Sequence, residues 1–187
     1  MFRKALLLSA LLLPAACGNI QPVVPDYGRL TTAQLGSGFD PDVTAANLAA
    51  WAFADSGRTY GRPIEAARAV ASLDYIAGQF YTSPRWSNIS ALTQEQLLQG
   101  RLEARAALGI PPGTPSQAVI DHLTAAGNAL ADNNPGFALA ALSGPTFTTP
   151  PDQVLARLSN LPFLRTANIA TTHAVNELFD SSTNDRM

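Results

Sequence analysis

Apolar residues recur at helical spacing along residues 40–180, and the punctuation between runs repeats one pattern: a cap-type residue, a proline, then an alanine- and leucine-rich stretch. Proline at a first helical position gives up no intrahelical hydrogen bond and already holds the helical φ. Asp40-Pro41 therefore opens a helix to about residue 55, where Gly57 can end it. Arg62-Pro63 opens a second to about residue 81, closed by Ser83-Pro84. Thr93 with Gln96 reads as a capping box for a third, which stops at Gly109. Thr114-Pro115 with Gln117 starts a fourth, running to about residue 132, and residues 135–142 add a short turn or two. Thr149-Pro150 opens a fifth to about residue 160, and Pro162 breaks the chain before a last helix to about residue 179. No segment alternates branched and polar residues between turn signals at strand spacing. The predicted class is all-α, a compact bundle of about six helices joined by short loops.

Facing tests sharpen this. In the second helix Ala66, Ala69, Val70, Leu73, Ile76, Ala77 and Phe80 fall on one stripe, with Glu65 and Arg68 as an exposed pair opposite. Residues 43–54 carry only Thr44 and Asn47 as polar positions, which predicts that the first helix is the central, surrounded one.

The N-terminus has a different pattern. Arg3 and Lys4 precede an apolar run over residues 5–13, and Ala15 and Ala16 lead into Cys17. These are the n-, h- and c-regions of a secretory signal, and a run of nine residues falls far short of the twenty or so that a spanning helix needs. Leu13-Pro14-Ala15-Ala16-Cys17 resembles the lipobox of bacterial lipoproteins, with Pro14 standing where that family usually has an aliphatic residue. The resemblance implies that residues 1–16 are removed and that Cys17 becomes an acylated N-terminus, the protein's lipid attachment to a membrane. Gly18 follows, in place of the family's inner-membrane retention aspartate, which implies an outer membrane location facing the periplasm. Ordinary signal-peptidase cleavage after Ala16, giving a soluble periplasmic or secreted protein, is the alternative. As the chain's single cysteine, Cys17 has no internal disulfide partner, in keeping with a modification site. Residues 17–39, with Pro22, Pro25, Gly28, Gly36 and Gly38, read as a flexible tether; about twenty such residues, extended, would reach on the order of 60 Å. The helical domain spans 40–180, and 181–187 form a polar tail.

Composition narrows the chemistry. Cleavage takes Arg3 and Lys4 from twelve basic residues, so ten face fourteen acidic ones and the formal charge of the processed chain is about −4. Lys4 is the only lysine, so the processed domain can supply no phosphate-loop lysine, Schiff-base lysine or Ser–Lys nucleophile pair. With 14% charged residues and no polybasic run, nucleic acid is not an expected partner. His173 and Glu177, four apart, share a helix face but lack the second histidine of a zinc helix, so they read as a solvent-facing pair; no metal and no cofactor is expected. His122 lies at the boundary of an apolar stripe. No Gly-x-Ser-x-Gly elbow is present, and nothing selects a catalytic carboxylate pair.

Arginine placement is the most distinctive polar feature. Arg101 and Arg105 lie within the apolar stripe of the third helix, among Leu97, Leu98, Leu102 and Leu108. Either their stems lie along the core edge with their heads in water, or paired guanidiniums receive an anionic, partly apolar group. A second cluster, Arg58, Tyr60 and Arg62 in a Gly-rich loop with Arg85 and Trp86 in another, has the composition favoured at interface hot spots. The leading reading is a non-enzymatic envelope lipoprotein, a structural or interaction module with an envelope protein as partner. A periplasmic binding module for a small apolar or amphiphilic ligand is the alternative, and an uncharacterised hydrolase is third.

Overall fold

The computed structural model describes residues 26–31, 34 and 40–184, the last four by backbone alone; residues 1–16, Cys17 and 185–187 lie outside the described residues. Seven α-helices and no strand occur among the described residues: α1 Pro41–Phe53, α2 Pro63–Thr82, α3 Ala91–Leu108, α4 Ser116–Ala131, α5 Pro135–Ala141, α6 Pro151–Ser159 and α7 Arg165–Asn184. Single 3-10 turns, Ser56–Arg58 and Pro84–Trp86, join α1 to α2 and α2 to α3. The fold is all-α, with the six expected helices and the 135–142 turns formed as the short α5. None of the described helices is long and apolar enough to cross a membrane.

The cap-then-proline punctuation places most helix starts. Asp40 caps α1 by accepting the amide of Asp42 at 3.0 Å, and Asn134 caps α5 by accepting the amide of Phe137 at 3.1 Å. Gly109 ends α3 at φ +74°, a left-handed conformation that glycine adopts without penalty. Two starts differ from expectation. Helix α3 begins earlier, capped by Ser90, whose Oγ accepts the amide of Thr93 at 3.2 Å; Gln96 bonds His173 instead of closing a capping box. Helix α7 begins at Arg165, three residues after Pro162, and runs through residue 184, so 181–184 are helical where a tail was expected.

The centre of the bundle is α2, not α1. Thirteen of its twenty residues are buried, and α1, α3, α4 and α6 pack around it. Helix α1 has few polar residues because alanine suits either side of a helix: Ala45, Ala46, Ala49 and Ala52 face inward, while Asn47 and Trp51 stay exposed. Fully buried Phe80, Leu73, Leu97, Leu98 and Leu123 fill the core, each worth about 1.5–3 kcal/mol of transfer free energy.

Helices α3 and α7 lie antiparallel and cap one another. Glu177, near the end of α7, accepts from the amide and hydroxyl of Ser90 and the hydroxyl of Thr93, all at 2.7 Å, at the start of α3. Glu103 on α3 accepts the amide of Ala167 at 2.9 Å in the first turn of α7. Each carboxylate meets the positive end of the other helix's dipole. Between these caps the backbones approach closely: a Cβ on Gly100 would stand 3.0 Å from Cα of Ala167.

Residues 26–31, expected within the tether, are bound into the bundle. Leu30 is buried, the carboxylate of Asp26 accepts the amide of Ser116 at 2.6 Å, and Arg29 and Gln117 exchange two hydrogen bonds. Asp26 thereby caps α4, a role the sequence assigns to Thr114. The strap crosses α2 at Gly78, where an added Cβ would fall 2.3 Å from the Asp26 carbonyl oxygen.

Candidate functional site

Arg101 and Arg105 are neither exposed nor wet at their heads; they are 3% and 2% accessible. Four residues apart, they share a face of α3 that turns toward α2, the start of α4 and the 26–31 strap. Asp74 on α2 takes Arg105 in a two-point ion pair, with Nε to Oδ2 at 2.8 Å and a terminal nitrogen to Oδ1 at 2.6 Å. The remaining Arg105 donors reach the carbonyls of Pro112 and Thr114, both at 2.8 Å, and the Ser116 hydroxyl at 3.1 Å. A guanidinium has five N–H groups, and all five are engaged. Arg101 donates to the Asp26 carbonyl at 2.9 Å and to Ser116 Oγ at 3.2 Å, while its Nε has no partner. Burial pulls the Arg101 pKa down, and neighbouring Asp74 opposes that shift. Both groups donate to interior oxygens, so the expectation of a partner- or ligand-facing arginine pair gives way to a structural role.

A second polar cluster joins the start of α1 to α2. Asp42 is 3% accessible and accepts from the Tyr75 hydroxyl at 2.5 Å, from Trp86 Nε1 at 2.7 Å and from Arg85 at 3.3 Å. Arg85 also pairs with Asp40 and lies over the Trp86 ring, 4.4 Å from its centroid. Burial and the hydrogen bond to Asp42 push the Tyr75 hydroxyl well above its ordinary pKa. Partial burial works against the Asp40 charge, but Arg85 and the amides of Asp42 and Val43 outweigh it and hold the carboxyl below its usual range. Trp86 is therefore a buried anchor, and half-exposed Arg85 is its cover. Sequence reasoning missed Asp42 and Asp74 because each sits in an apolar helix with no acidic neighbour at helical spacing.

Arg85 and Trp86 do not join Arg58, Tyr60 and Arg62. The first group lies at the start of α1 and the second just beyond its end, about 20 Å apart along thirteen helical residues. At the second location the Arg58 guanidinium donates to the Trp51 carbonyl at 2.8 Å and stands 5.8 Å from the Trp51 ring centroid. The Gly61 amide bonds the Ser159 carbonyl at 2.8 Å, tying this loop to the α6–α7 connection. Residues 161–164 close a narrow cleft against Ala52, Phe53, Ser56 and Thr59, which brings Phe163 alongside. Trp51, Tyr60 and Phe163 are 38%, 69% and 52% accessible, and Arg58, Arg62 and Arg165 are exposed with them. One end of the bundle thus gathers three aromatic and three cationic side chains, against exposed Asp55 and half-buried Glu65 and Glu103.

The His173–Glu177 pair lies on an open face, with His173 exposed and Glu177 half-buried, and each side chain also reaches α3: Glu177 clasps its start, and His173 Nδ1 lies 2.8 Å from the side-chain oxygen of Gln96. Partial burial opposes the Glu177 charge, but the Ser90 and Thr93 hydrogen bonds prevail and lower its pKa. His122 is half-buried and packs tilted against Phe147. Two open grooves remain, one of about 320 Å³ beside Phe137 and one of about 370 Å³ along the strap beside Tyr75 and Gln79. Among the described residues no three His, Cys, Asp or Glu side chains converge as a metal site requires. Comparison with protein-family models, with curated proteins and with solved structures finds no match for this chain.

Proposed function

We propose that this chain is a bacterial envelope lipoprotein, acylated at Cys17 and held at the outer membrane facing the periplasm, whose helical domain is a non-enzymatic structural or interaction module. The observation that carries the reading is the N-terminal order of basic residues, a nine-residue apolar run and Leu13-Pro14-Ala15-Ala16-Cys17. The domain adds support through the way its buried charges are used. Arg105 is saturated by Asp74 and interior oxygens, and Asp42 by Tyr75, Trp86 and Arg85. Among the accessible side chains, Arg58 lies beside the Trp51 ring and Arg85 over the Trp86 ring, a composition suited to contact with a partner.

Fractionation of cells expressing the wild type and Cys17→Ala, after a high-salt wash that strips peripheral protein, tests this. The wild type stays with the membranes and its N-terminal peptide carries acyl mass; the variant lacks that mass and washes off. Equal retention of both proteins overturns the anchor.

A further inference from the structure

We infer that the end of the bundle formed by Trp51, Arg58, Tyr60, Arg62, Phe163 and Arg165 is a membrane-contacting face that seats on anionic phospholipid headgroups. The inference rests on the lipid-anchor reading for its geometry and on the described residues for its chemistry.

Three rings of different sequence origin are exposed together: Trp51 on α1, Tyr60 in the loop before α2 and Phe163 in the connection before α7. They are held there by the Arg58 bond to the Trp51 carbonyl, the Gly61–Ser159 bond and the packing of residues 161–164 on Ala52 and Phe53. Tryptophan and tyrosine partition to the membrane–water boundary, because a flat apolar body takes the upper chains while a polar tip stays hydrated. Arg58, stacked near Trp51, and unpaired Arg62 and Arg165 flank the rings. Guanidinium groups bind phosphate oxygens at two points, and each near an anionic surface adds to the attraction. The three guanidiniums are exposed, whereas of the acids at this end Glu65 and Glu103 are half-buried and Glu103 is taken up by the Ala167 amide, so the charge this end presents outward is carried mainly by arginine.

Chain length permits the same orientation. The strap joins the bundle at Asp26, beside Gly78. From Gly78 back to Pro63 at this end, fifteen helical steps rise about 22 Å. The nine residues from Cys17 to Asp26 can span at most about 30 Å. An acylated Cys17 can therefore reach a bilayer that the aromatic end touches.

The test is tryptophan quenching in vesicles carrying bromines high on their acyl chains, made of phosphatidylcholine alone or mixed with phosphatidylglycerol. Exported full-length protein is reconstituted if its mass shows acylation, and added from outside if it does not. Trp51 is exposed and Trp86 is buried, so Trp51→Phe assigns the signal. The expected result is Trp51 quenching that grows with phosphatidylglycerol. In Arg58→Ala/Arg62→Ala/Arg165→Ala the ratio of docked to free domain falls about a hundredfold, each arginine contributing a factor of about five. An unchanged melting temperature in that variant assigns the loss to the surface. Acylated protein whose Trp51 is not quenched overturns the docking face and leaves the anchor intact; unacylated protein that is quenched does the reverse. Crosslinking of Tyr60 or Phe163 positions to an envelope protein, with Trp51 unquenched, also overturns it in favour of a protein contact.

Discussion

Asp74 on α2 and Arg105 on α3, thirty-one residues apart, meet in a two-point ion pair with both side chains almost fully buried, at 1% and 2% accessibility. The pair sits where α2, α3, the loop before α4 and the N-terminal strap converge, and Arg105 reaches across to the Pro112 and Thr114 carbonyls.

Removing one partner strands the other. Asp74→Ala leaves a buried guanidinium without its counter-ion, and the expected cost is about 3–5 kcal/mol, measured by urea denaturation. The double variant Asp74→Leu/Arg105→Met restores part of that loss, since two apolar groups leave no orphaned charge. A double variant as unstable as Asp74→Ala alone would assign the cost to shape rather than to charge.

The strap depends on the missing side chain of Gly78. Gly78→Ala drives a methyl group into the Asp26 carbonyl and the Tyr27 backbone, so the strap must lift. Lifting it withdraws the acceptor from Arg101 and the cap from Ser116. The expected result is a loss of about 1–3 kcal/mol together with faster proteolysis within residues 26–31. Protection of the strap equal to that of the wild type would remove the argument.

Much of this was legible beforehand and some was not, for physical reasons. The punctuation Asp40-Pro41, Arg62-Pro63 and Gly109 marks helix ends through local φ preferences and local caps, which a sequence carries in adjacent residues. Caps supplied across the fold are invisible at that range: Asp26 serves Ser116 over 90 residues, and Glu177 serves Ser90 over 87. Arg101 and Arg105 stood out correctly as arginines on an apolar stripe. Their burial depends on Asp74 and on loop carbonyls, and backbone carbonyls leave no mark in composition. Grouping Arg85 and Trp86 with Arg58 and Tyr60 failed because similar loop composition says nothing about which end of a helix a loop occupies.

Acid weakens the α3–α7 clasp. Glu177 titrates below its ordinary value in the folded chain because Ser90 and Thr93 bond its charged form. Its contribution is therefore fully present above the unfolded pKa of about 4.3 and fades as pH falls through the lower folded value. Glu177→Gln keeps the shape and loses the charge, so its stability deficit at pH 7 shrinks toward zero on acidification. Parallel denaturation curves at descending pH check this, and a deficit constant with pH would assign the clasp to neutral hydrogen bonding.

The two loop clusters should respond in opposite ways to substitution. Trp86→Phe keeps a ring against Phe80, whose centroid lies 5.2 Å away, but removes the Nε1 donor to Asp42. That costs about 1–3 kcal/mol, because a buried carboxylate loses a hydrogen bond that no water replaces. Asp42→Ala costs more, since it orphans the Tyr75 hydroxyl and Trp86 Nε1 together. The two changes couple, so a double-mutant cycle should return an interaction energy of about 0.5–3 kcal/mol. Arg58→Ala/Arg62→Ala, by contrast, removes one solvent-exposed hydrogen bond, from Arg58 to the Trp51 carbonyl, and no buried contact, so it should alter stability by no more than about 1 kcal/mol. Thermal melts of the four variants decide the matter. A collapse in the Arg58/Arg62 double variant would make its loop a structural clamp, and a silent Trp86→Phe would show that Asp42 is held by Tyr75 and Arg85 alone.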